Sequence, residues 1–187
     1  MLLFIKYVDT FLEEKDEFYR QNQDTLNLTL CGGDMFLDEN SNNEIVAQKL
    51  GPQTDAISVG NHDLEQGEFL ATIIDKYNLK NKFISTNLKY TKPTQLREIP
   101  RSKVIEKRGE KIGFIGVSPF DFNHITFMNN LTDFIRVRPL DETIKIIKEE
   151  VKKLEANNIN KIFLLAHTGN QSKSGEIDYY KELAKIG

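Results

Sequence analysis

Apolar and polar positions alternate along the chain with two different periods, and the change of period marks out its elements. Phe4, Val8, Phe11 and Phe18 fall near helical spacing beside the charged stretch Glu13–Glu17, so residues 2–22 predict an amphipathic helix. Thr25 to Leu30 is a β-prone run that closes on Cys31-Gly32-Gly33-Asp34. A short helix is expected over 44–50, then a strand over 55–59 ending at Gly60-Asn61-His62-Asp63. A helix over 64–77 follows, with Phe69, Ile73 and Tyr77 on one side, and a strand over 83–87. Pro93 and Pro100, with no period around them, predict a surface loop over 89–102. Val104-Ile105 and Ile112–Val117 flank Arg108-Gly109-Glu110 as a hairpin, while 118–139 show no period. Asp141 is a candidate N-cap for a helix carrying Ile144, Ile147, Val151 and Leu154 on one face, with Lys152 and Lys153 near its end. Lys161–Ala166 predicts an apolar strand that delivers His167, and a last helix from about Gly175 carries Tyr179, Leu183 and Ile186.

Strands alternating with helices argue for an α/β fold with a parallel or mixed sheet. The apolar run 162–166 fits a strand covered on both faces, and in such sheets the binding crevice lies beyond the carboxyl ends of the strands. A chain of 187 residues holds one well-buried domain. Its composition, 39% hydrophobic and 28% charged, is that of a globular domain. A net charge of −3 leaves no basic excess for a nucleic-acid backbone, and no apolar run reaches the length of a membrane span. The apolar start turns acidic by Glu13 without a small-residue cleavage site, so it does not read as a signal peptide.

Asp34, Asn61 and His167 each follow the carboxyl end of an expected strand, and all three are donors suited to zinc, manganese or iron. Glycine precedes the first two, where the backbone must turn sharply. Each residue also has a plainer reading. Gly-Asp is a common turn dipeptide, a strand-end histidine is often hydrogen-bonded core, and Asn61-His62-Asp63 can open a helix with Asp63 as its cap. Cys31 has no histidine placed to activate it and reads as a small buried thiol, and the phenylalanines read as core. His124 reads as a surface or packing histidine.

Gly32-Gly33-Asp34, Gly60-Asn61-His62-Asp63, Ser85-Thr86-Asn87-Leu88, Lys111–Val117 and Ala166-His167-Thr168-Gly169, in that order, make the chain resemble the calcineurin-like metallophosphoesterases, closest to their 5′-nucleotidase/UDP-sugar hydrolase branch. The likeness runs from about residue 25 to the end. It implies an αββα sandwich with mixed sheets and hydrolysis of a phosphate ester, such as a nucleoside monophosphate, with two divalent metal ions. Asp34 would bridge the two ions, and Asn61 and His167 would bind the second. His62 would be the catalytic histidine, oriented by Glu65 where the branch normally has Asp. The family's opening Asp-x-His and closing Gly-His-x-His do not occur here. The expectation is therefore a single partial catalytic domain over 1–187, holding at most one weakly bound cation and inactive alone. Branch members are often exported, and the resemblance leaves location, oligomeric state, metal and ester open. The competing reading is a non-catalytic scaffold that keeps the fold for binding.

Overall fold

The computed structural model describes residues 2–37, 41–65, 67–91, 99–121, 135–169 and 175–186. β1 (Leu30–Cys31), β2 (Ala56–Ser58) and β3 (Phe83–Ile84) form a parallel sheet in that order. β4 (Leu88–Tyr90) pairs antiparallel with β7 (Ile135–Val137). β5 (Ser102–Lys107), β6 (Glu110–Val117) and β8 (Lys161–Ala166) form a mixed sheet, antiparallel between β5 and β6 and parallel between β6 and β8. The helices are α1 (Leu2–Gln21), α2 (Ser41–Lys49), α3 (Asn61–Glu65), α4 (Glu68–Lys76), α5 (Leu140–Ala156) and α6 (Tyr179–Ala184).

Strand alternation explains the layering. Ala56, Ile84, Ile112 and Phe114 point into the seam between the two three-stranded sheets. Their chain neighbours Ile57 and Phe83 point the other way, onto Val46, Ala47, Leu70 and Ile73 of α2 and α4. On the far side, Ile115 and Val117 meet Ile147, Leu154 and Leu183 of α5 and α6. The result is helix, sheet, sheet, helix. The sheets close to van der Waals contact at Gly116, where a Cβ would lie 2.2 Å from the Ile84 carbonyl oxygen. The Thr86 amide donates to the Gly116 carbonyl at 2.8 Å, and Ser58 Oγ to the Val117 carbonyl at 3.1 Å.

Several expectations are corrected. Of 25–30 only Leu30 is in the ladder, because Thr29 is held instead by Asp55, whose carboxylate accepts its amide at 2.8 Å. The helix expected over 64–77 is two helices interrupted near residue 67, the first starting at Asn61. The strand expected over 83–87 ends at Ile84, since Ser85 and Asn87 turn to Ser118 across the seam. The loop expected over 89–102 holds most of β4 and the first residue of β5. Asp141 is not the N-cap: α5 starts at Leu140 behind Pro139, with no side-chain cap, and Asp141 sits in the first turn. The last helix begins at Tyr179, where Asp178 caps it by accepting the Lys181 amide.

Burial differs most from expectation on two elements. α1 buries Val8, but Phe11 and Phe18 are exposed. β8 is an outer strand of its sheet, with Phe163 54% exposed rather than covered on both faces. Among the described residues no helix is long and apolar enough to cross a membrane.

Candidate functional site

The chain leaves β1 through Gly32 and Gly33 and turns at Asp34, whose φ of 54° is a left-handed conformation uncommon for a residue with a side chain. One carboxylate oxygen, Asp34 Oδ1, accepts the His62 amide at 3.0 Å. The other, Oδ2, lies 3.1 Å from Nε2 of His167. His167 comes off β8 with its amide bound to the Val117 carbonyl at 2.8 Å, and its Nδ1 donates to the Gly32 carbonyl at 3.1 Å. The loops meet at their glycines. A Cβ on Gly33 would stand 2.4 Å from His167 Nδ1, and one on Gly60 would stand 2.1 Å from Asp34 Oδ1. Gly33, at φ 120°, makes the sharp turn expected of it, whereas Gly60 is needed for close approach.

α3 carries the remaining candidates. Asn61 is its first residue, half-buried between Gly60 and His62, both of whose backbones touch Asp34. His62 and Glu65 are one turn apart, which brings their side chains together. His62 Nδ1 donates to Glu65 Oε2 at 2.7 Å, and the other Glu65 oxygen, Oε1, is buried with no hydrogen-bond partner among the described residues. The structure thus joins Asp34, His167 and the His62 backbone directly, with Asn61 in the same loop and the His62–Glu65 pair beside it. His124 lies outside the described residues.

Asp63, by its position, is expected to do no more than cap a helix. It is 0% exposed, and its carboxylate accepts three backbone amides from two loops. Oδ2 takes Asp34 N at 3.0 Å and Gly60 N at 2.9 Å, and Oδ1 takes Phe36 N at 2.9 Å. The signal available in the sequence was an acid three residues after Gly60, the spacing at which a side chain reaches back to the amide that opens a helix.

The electrostatics follow these contacts. Burial works to raise the Asp34 carboxyl, but the His167 hydrogen bond and charge, with the His62 amide, outweigh it and hold the group below its ordinary range. The Asp34 hydrogen bond raises His167, overcoming the opposing effect of burial. Burial pushes Asp63 up to about 7, against the Gly60, Phe36 and Asp34 amides that favour its ionised form. Cys31 is pushed up to about 11 by burial, so its thiol is not activated.

Among the described residues no group of three His, Cys, Asp or Glu side chains is disposed to hold a metal ion. The donors that do converge have the right chemistry for one cation. His167 gives its Nδ1 proton to a backbone carbonyl, the usual bracing of a metal-binding imidazole, and turns Nε2 toward a carboxylate oxygen. An amide oxygen from Asn61 would make a mixed oxygen and nitrogen set that suits zinc, manganese or iron.

A family model described as calcineurin-like phosphoesterase matches residues 5–185. A 5′-nucleotidase of Mus musculus is 30% identical over 122 residues, 62% of this chain and 19% of that protein. The crystal structure of a 5′-nucleotidase precursor from Thermus thermophilus superposes with a TM-score of 0.64 at 21% identity, covering 81% of this chain and 30% of that one. The NAD nucleotidase of Haemophilus influenzae superposes with a TM-score of 0.65 at 18% identity, covering 92% of this chain and 29% of that one. The two structures share the fold, and all three proteins are several times longer than the region matched here.

Proposed function

The chain belongs to the calcineurin-like phosphoesterase family, and from that membership we propose that its intact protein is a metal-dependent phosphoesterase of 5′-nucleotidase type, acting on nucleoside monophosphates or related phosphate esters. The 187 residues would be one part of its catalytic domain. The observation that carries this reading is the double engagement of Asp34, with one carboxylate oxygen on the His62 amide and the other against the His167 ring. In this reading those contacts set two metal donors and the proposed catalytic histidine side by side.

In this reading Asp34, His167 and Asn61 hold a divalent cation, which when bound supplies Lewis-acid polarisation of the phosphoryl group and acidifies a water. The remaining work falls to side chains of the chain itself. Glu65 accepts the Nδ1 proton of His62, which fixes the tautomer and holds the ring beside the phosphate and its leaving oxygen. Glu65 is one methylene longer than the Asp expected at this place, yet at 2.7 Å it reaches Nδ1 within one turn of α3. The length difference does not prevent the pair.

Two experiments test the proposal. Calorimetric titration of the 187-residue chain with manganese or zinc is expected to give at most one weak site, and two tight sites per chain would refute the incomplete-centre picture. A phosphatase assay on the chain extended at both ends, beside its His62→Ala variant, is expected to show a loss of about 10²-fold or more. Equal rates would remove His62 from the chemistry. No phosphatase activity in the extended chain itself would favour the scaffold reading.

A further inference from the structure

We infer that Asp63 is the positioning residue of this site: its buried carboxylate sets the left-handed backbone of Asp34 and so aims the Asp34 side chain at His167. The geometry is reciprocal. Asp63 accepts the amides of Asp34 and Phe36, one on each side of Met35, and so grips the loop on both flanks of its turn. The same carboxylate accepts Gly60 N, the amide that opens α3. Asp34 in return accepts the next amide but one, His62 N, from the other side. Two aspartates therefore cross-link two loops, each bonding the backbone of the other's loop.

Asp63 bonds the amides of Asp34 and Phe36 at the turn where Asp34, a residue with a side chain, holds φ 54°. A non-glycine residue in that region is uncommon and persists where its neighbours over-determine it. Asp63 supplies that determination, because three donors converge on two oxygens and no rotation of the loop preserves all three bonds. Gly60 completes the fit, since any side chain there would collide with Asp34 Oδ1. Asp63 is fully buried and its hydrogen bonds go to the Asp34, Phe36 and Gly60 amides, so its grip on the site is made through the Asp34 loop.

The consequence for metal binding rests on the site reading above, whereas the control of Asp34 does not. Asp63→Asn keeps the shape and places an NH2 group against at least one backbone amide. In the folded variant the His167 ring resonance, followed by NMR among the chain's three histidines, should move toward its position in Asp34→Ala. Manganese affinity by calorimetry should fall about tenfold, at the lower end of what supporting groups around a metal site contribute. Leu154→Ala, a core truncation remote from the site, should lower the melting temperature yet leave ring resonance and affinity unchanged, which separates positioning from general stability. A folded Asp63→Asn protein with wild-type His167 resonance overturns the inference. Absence of manganese binding in the wild type would defeat the metal reading alone, and the ring resonance would still decide the role of Asp63. Should Asp63→Asn not fold, amide exchange in the wild type decides: Asp34, Phe36 and Gly60 are expected to exchange together and slowly, and fast exchange at Asp34 or Gly60 overturns it.

Discussion

The two three-stranded sheets reach the same seam by different means. In the mixed sheet, β5 and β6 run in register over six residue pairs, as do β6 and β8, and main-chain ladders do most of the holding. In the parallel sheet the ladders are two residues long. Side chains bonded to backbone take over there: Asp55 on Thr29, Asp63 on three amides, Asp34 on His62, and Lys82 on the carbonyls of Pro52 and Thr54. A ladder fixes only strand position. Side-chain bonds fix individual amides beyond the strand ends, where the candidate donors stand, so the short sheet is the one that sets the aim of the site.

That contrast makes ordered demands on stability, all readable by urea or thermal unfolding. The parallel sheet rests on the largest buried cluster among the described residues, so Phe83→Ala, which empties a fully buried ring position behind β3, should cost about 3–5 kcal/mol. Gly116→Ala forces a methyl against the Ile84 carbonyl and should cost about 1–3 kcal/mol by wedging the sheets apart. A cost near zero there would mean that the seam is looser than the contact implies. Asp55→Ala removes the acceptor of the Thr29 amide and should cost about 1 kcal/mol. Phe163→Ser on the open face of β8 loses a ring stacked 5.7 Å from the buried Phe114 and should cost about 0.5–1 kcal/mol. A large loss at Phe163 would contradict the assignment of β8 as an outer strand held by its ladder.

Much of this was readable from residue order. Gly60-Asn61-His62-Asp63 after an apolar run pointed to a strand end with donors, and α5 showed in the spacing of its isoleucines and leucines. The rest depended on partners distant in sequence. β4 carries no period of its own and exists because β7, some 45 residues on, lies beside it. The exposure of Phe163 was invisible because an apolar run reads alike at the middle and the rim of a sheet. Asp63 resembled an ordinary helix-opening acid, and only the loop at Asp34 arriving beside it reveals three amides to be satisfied.

β8 joins two properties that proteins usually keep apart. Its last residue hands the chain to His167, while among the described residues its outward edge has no neighbouring strand and shows Phe163 and Leu164 to solvent. Such rims invite strand-to-strand association. Anything that zips onto that rim, including another copy at high concentration, will therefore tug on the imidazole. Crowded samples and dilute ones should be compared before any metal titration is interpreted.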